Sequence, residues 1–118
     1  MTLKRENLLE HTELENILDK IPVGVTLTDL EGRILYYNEY SSQIVDRKPE
    51  YIGKDIRVCH NQRESIVKID SILRELKEGS SQEYYYESKR NGKTLEVTVL
   101  PYKVNDELIG FIQSFVVK

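Results

Sequence analysis

The chain has 118 residues, 39% of them hydrophobic and 31% charged, which suits one soluble domain with a core of its own; its 17 Lys and Arg against 20 Asp and Glu give a formal charge of -3 and form no basic stripe that could follow nucleic-acid phosphates. One cysteine excludes an intrachain disulfide framework and a Cys-rich zinc site. No apolar run approaches the roughly 20 residues needed to span a bilayer, and the start MTLKRENLLEH carries charges where a secretory signal needs an apolar region, so a cytoplasmic protein without membrane contact is expected.

Taken in order, Leu8, Leu9, Leu14, Ile17, Leu18 and Ile21 recur at three- and four-residue steps. They predict an amphipathic helix over residues 1–21, ended by Pro22, ahead of a domain over 22–118. Residues 24–28 alternate apolar with polar, Asp29-Leu30-Glu31-Gly32 supplies turn chemistry, and residues 33–37 read as the returning strand of a hairpin. Asn38 can cap a short helix reaching Val45, and residues 48–53 read as one helical turn closed by Gly53. Farther on, Ile66, Ile69, Leu73 and Leu76 fall on one face of a helix over about 64–78, with Val67 and Ile72 beside them and Gly79 as the stop. Asn91-Gly92 is a two-residue turn signal between Tyr84-Tyr85-Tyr86 and the strand at residues 95–99. A second polar turn at Asn105-Asp106-Glu107 leads into residues 108–112 and the closing run Phe115-Val116-Val117. The order is helix, two strands, a helical middle and three strands.

That order, with Ile21-Pro22-Val23-Gly24-Val25, Asp29-Leu30-Glu31-Gly32-Arg33-Ile34, Asn38 and Tyr51-Ile52-Gly53-Lys54, resembles the PAS sensor-domain family from about Leu14 to Val117. The resemblance implies an α+β fold: a five-stranded antiparallel sheet with short helices on one face, an N-terminal amphipathic helix, and a pocket between sheet and helices for a small molecule or cofactor. It also implies a homodimer that passes its signal to an effector domain or signalling protein, in pathways that include transcription regulation. The stretch Cys59-His60-Asn61-Gln62-Arg63-Glu64-Ser65 is further similar to a PAS subgroup carrying Cys-His-Pro-Pro-x-x-Ser, with Asn61 and Gln62 in place of the prolines. The Asn-Cys-Arg-Phe-Leu-Gln motif of flavin-binding light sensors is not reproduced.

The expected pocket lies between the helix over about 64–78 and one sheet face, lined by Ile66, Ile69 and Leu73 from the helix and by Val25, Leu27, Leu95, Val97 and Val99 from the strands. A one-residue slip of register exchanges the two faces of any strand. A small apolar ligand fits such a lining. His60 and Cys59 are the candidate cofactor-binding residues, because neutral imidazole and thiolate both ligate haem iron. The structural alternative is a loop-to-helix junction: Asn61 is a strong helix cap, Glu64 can complete a capping box, and a lone cysteine is often a small buried hydrophobe. The Tyr84-Tyr85-Tyr86 run must divide between the two faces of its strand. No glycine-rich phosphate loop, paired metal-ligand spacing or Gly-x-Ser-x-Gly elbow occurs, so neither an enzyme nor a metal site is expected. The rival reading is a cavity-free interaction module whose work is dimerisation.

Adjacent side chains cannot reach around one haem, so ligation by His60 predicts a five-coordinate iron or one with water or gas as sixth ligand. Titration with haem is expected to give a sharp Soret band that His60→Ala removes. Equal spectra in parent and variant leave His60 at the junction as a structural residue.

Overall fold

The computed structural model describes residues 11–59, 63–79 and 82–118, with the side chains at 11, 12, 58, 59, 64 and 65 outside that description. In chain order the elements are α1 (His11–Lys20), β1 (Gly24–Asp29), β2 (Ile34–Tyr37), α2 (Glu39–Ile44), two 3-10 turns (Pro49–Tyr51 and Ile56–Cys59), α3 (Arg63–Lys77), β3 (Tyr84–Arg90), β4 (Lys93–Val104) and β5 (Glu107–Val117). Every strand pair is antiparallel, and the sheet order is β2-β1-β5-β4-β3. The first and last strands therefore meet at the centre, with β2 and β3 at the edges. This is the expected α+β fold.

Two tight turns fix the second half of the sheet. Asn91 and Gly92 have φ of 52° and 78°, both left-handed, as a two-residue hairpin whose twist matches its strands demands. Asn105 and Asp106, at 52° and 63°, do the same between β4 and β5. Strand β4 outruns its apolar stretch and continues through Pro101. A proline is tolerated there because β3 pairing ends at Val99, leaving that part of β4 a ladder on one side only.

Cross-strand partners share a face. Gly24, Thr26 and Thr28 pair with Phe115, Gln113 and Phe111, which in turn oppose Val97, Val99 and Pro101. Against this face α3 lays Ile69, Ile72, Leu73 and Leu76, all buried, while Val67 remains 54% exposed. The ring of Phe115 occupies the space above Gly24: a Cβ built there would stand 1.9 Å from a ring carbon. Only glycine permits that approach.

The register corrects one sequence expectation. Val25 and Leu27 do not share the helix-facing side with Leu95, Val97 and Val99; they pair with Ser114 and Ile112 and stand on the opposite face, where both are half-buried. The inward positions of β1 belong to Thr26 and Thr28, at 1% and 0% exposure. Hydrophobic alternation pointed the other way because the polar side chains of this strand are the buried ones.

Asn38 joins three elements. Fully buried, it accepts at Oδ1 from the amides of Val25 (2.8 Å) and Ser41 (3.2 Å) and donates from Nδ2 to the carbonyls of Leu18 (2.7 Å) and Val23 (2.8 Å). One side chain thus caps α2, fixes β1 and holds the C-terminal end of α1. Nearby, Asp19 accepts from the Glu39 amide at 2.7 Å. Asn38→Ala strands four backbone groups, two amides and two carbonyls. The loss expected in a urea unfolding experiment is at least about 3 kcal/mol, against about 1 kcal/mol for an ordinary cap; a loss near the lower figure refutes the shared role.

Candidate ligand site between the third helix and the sheet edge

A groove of about 1100 Å3 runs between α3 and β3. Its helical wall is the stripe Arg63, Val67, Ser71 and Glu75, spaced four residues apart, with Lys68 and Ile72 beside it. The opposite wall is Tyr84, Tyr85 and Tyr86. The tyrosine run divides as its strand period requires: Tyr84 and Tyr86 pack against the core, while Tyr85 is 70% exposed. Tyr84 donates its hydroxyl to Glu75 and Tyr85 donates to Glu83. The Lys68 ammonium sits 4.4 Å from the centre of the Tyr86 ring, a cation-π contact.

Behind Tyr86 a buried polar chain crosses the sheet. Gln113 Nε2 donates to the Tyr86 hydroxyl (3.3 Å), and Gln113 Oε1 accepts from Arg47 Nη2 (3.1 Å). Arg47 Nε donates to Thr26 Oγ1 at 3.2 Å and Nη1 to the Asp46 carbonyl at 3.0 Å. Arg47 and Gln113 are 6% and 7% exposed. Burial pushes the Tyr86 phenol above its ordinary pKa, against the pull of the Gln113 hydrogen bond and of Arg90 and Arg47.

An ion cluster anchors α3 from the other side. Arg57 donates from Nε to Asp55 at 2.7 Å and also pairs with Asp70 on α3. The guanidinium hydrogen bond holds the Asp55 carboxyl below its usual range despite burial, and the same bond raises Arg57. Lys77 reaches Glu31 in the β1–β2 turn at 3.1 Å.

The lining expected from sequence is distributed differently. Ile69, Leu73, Leu95, Val97 and Val99 lie in the packed core, none more than 7% exposed, and Ile66 is half-buried on α3. The open volume is displaced toward the sheet edge, and Ile72 rather than Ile69 or Leu73 borders it. His60, Asn61 and Gln62 lie outside the described residues, as do the side chains of Cys59 and Glu64. Among the described residues, no group of three His, Cys, Asp or Glu side chains could hold a metal ion, and no helix is long and apolar enough to cross a membrane. Arg47, Gln113 and Thr26 were not singled out in the sequence. The available signal was Gln113 itself, a polar residue in the alternation Phe111, Gln113, Phe115.

A central antiparallel sheet closed by its first and last strands, with helices on one face and a lined groove beside α3, defines a small sensor-type α+β module. The PAS domain family matches residues 14–116, and the chain belongs to it. Solved structures agree on the fold. A PAS domain from Colwellia psychrerythraea aligns over 91% of this chain and 95% of its own at TM-score 0.69 and 18% identity. A sensory box sensor histidine kinase from Vibrio cholerae aligns over 89% and 88% at 0.64 and 20%. A ligand and DNA complex of VqmA from Vibrio aligns over 94% of this chain but 52% of its own, at 0.73 and 14%. No curated protein matches the sequence.

Arg47→Met keeps the stem and removes the donors that reach Thr26 and Gln113. The expected cost is about 1.5–3 kcal/mol, the range for hydrogen bonds made by a charged group in a buried setting, measured by urea unfolding. A change within about 0.5 kcal/mol, as for an ordinary surface substitution, shows that the chain of bonds does not stabilise the fold.

Proposed function

We propose that this chain is a cytoplasmic, non-catalytic PAS sensory module that binds a small molecule between α3 and the sheet and passes its state through homodimer contacts to an effector. The groove between α3 and β3 carries the reading: it is large enough for a small ligand, walled by aromatic and aliphatic side chains, and backed by Tyr86, whose hydroxyl joins the buried polar chain to Arg47 and Thr26. Pockets with an apolar lining and a few placed polar groups are the usual form of small-molecule sites. The sensor histidine kinase and the ligand and DNA complex of VqmA illustrate two kinds of effector, a kinase and a DNA-binding protein. Transcription regulation and kinase control are both outputs open to such a module.

The dimer part of the reading rests on α1. Leu14 and Ile17 are 46% and 48% exposed, more apolar surface than an isolated helix keeps in water, and such surface marks interfaces. A second reading has its own support: Ile69, Leu73, Leu95, Val97 and Val99 fill the space between helix and sheet, as in a cavity-free module devoted to dimerisation.

Two measurements separate these readings. Native mass spectrometry is expected to give a dimer that becomes monomeric when the residues before Glu15 are deleted; an unchanged dimer rejects a role in the interface for the deleted stretch, Leu14 included. A thermal-shift screen with haem, fatty acids and small aromatic acids is expected to raise the unfolding temperature with at least one class, since a ligand selective for the folded state stabilises it. Dimerisation with no shift from any class favours the cavity-free module.

A further inference from the structure

Resting on the reading of this groove as the ligand site, we propose that its ligand is a planar aromatic monocarboxylate. The groove is electrically divided along its length. Arg63 and Lys68 stand toward the N-terminal end of α3, and Glu75 and Glu83 at the other end. Lys68 and Glu75 are seven residues apart, about 10 Å along a helix, which matches the length of a fused two-ring system.

Each end has a defined chemistry. At the basic end the Lys68 ammonium lies over the Tyr86 ring; a ring face attracts the cation without consuming its three N–H donors, so a carboxylate can accept from it and from the Arg63 fork. At the acidic end both carboxylates accept from phenols, Glu75 from Tyr84 and Glu83 from Tyr85. The two side chains thus place carboxylate oxygens of the groove wall where a second ligand carboxylate would lie. Between the ends Val67, 54% exposed, gives an apolar surface that a flat ring would remove from water, beside the buried Ile72. The arrangement accepts one negative charge at one end, a ring in the middle, and rejects a negative charge at the far end.

The test uses three probes of one shape: 2-naphthoate, its neutral amide 2-naphthamide, and naphthalene-2,6-dicarboxylate. Calorimetric titration of the full chain is expected to show 2-naphthoate binding at least tenfold more tightly than either of the others, with Val67 methyl signals shifting in NMR. Lys68→Met is expected to weaken 2-naphthoate at least tenfold while leaving the amide unchanged, and Arg63→Gln to act in the same direction. Amide and acid binding equally, dicarboxylate binding as tightly as the monoacid, or Lys68→Met without effect each overturns the ligand class while the groove stands as a site. Binding of none of the three probes overturns the ligand class, and the thermal-shift screen with the other ligand classes decides the groove reading separately. Binding of 2-naphthoate without a shift at Val67 places it elsewhere and overturns the assignment.

Discussion

The fold turns on one amide. A buried asparagine presents two acceptor lone pairs and two donors, and Asn38 uses its oxygen for two backbone amides and its nitrogen for two backbone carbonyls. Aspartate lacks the donors and serine lacks the reach, so the set of four is specific to this side chain. Because the carbonyls belong to Leu18 and Val23 and one amide to Val25, the path from the end of α1 into β1 is set by the same group that starts α2. The Asn38 amide itself donates to the Val25 carbonyl at 3.0 Å, closing a two-way link between the end of β2 and the start of β1. Everything that β1 then carries inward, Gly24, Thr26 and Thr28, inherits its position from that link.

That inheritance explains why polar residues occupy the inner face of a central strand. Slipping β1 by one residue would turn Val25 and Leu27 inward, which hydrophobicity alone favours. Two constraints oppose it. Gly24 must lie under the Phe115 ring, where no side chain fits, and Val25 must offer its amide to Asn38. The cost of burying Thr26 is offset by Arg47, which donates to its hydroxyl, and Arg47 in turn is satisfied in part by Gln113. A buried polar group is tolerated when its network is complete, and a partly completed one is worse than an apolar core.

Local signals made most of the fold legible in the sequence. Asn91-Gly92 and Asn105-Asp106 show left-handed backbone at both turns, Asn38 caps α2 with a bond to the Ser41 amide, and Gly79 ends α3 at φ 98°. Each is a short-range rule with one physical outcome. The β4 boundary was less legible because Pro101 reads as a strand end until the reach of β3 is known. The site was least legible. Thr26, Arg47, Tyr86 and Gln113 are separated by 21, 66 and 27 residues along the bonds that join them, and no local pattern announces a contact of that span. Helical periodicity identified the α3 core face, but the groove lies on its flank, where Ser71 and Glu75 break the apolar pattern that Val67 begins.

The displacement of the groove toward β3 has an energetic reason. A dry pocket of about 300 Å3 left in the centre of the core would cost on the order of 7 kcal/mol at about 24 cal/mol per Å3, as much as the whole stability of many domains this size. Filling the centre with Ile69, Leu73, Leu95, Val97 and Val99 avoids that cost. A groove at the sheet margin is open to water, so its empty state needs no void, and filling it exchanges water for ligand without repacking the core. At the other margin, where Ile34 of β2 is bridged to Ile52 and the preceding Arg33 to Asp55, the groove is smaller, about 450 Å3 beside Leu35, Tyr36 and Ile52. With the centre filled, the flank of β3 offers the larger of these two grooves. There Tyr86 lines the groove while its hydroxyl accepts from Gln113 in the buried chain that reaches Thr26 on β1, so an occupant at the margin touches a side chain that connects it to the strand held by Asn38.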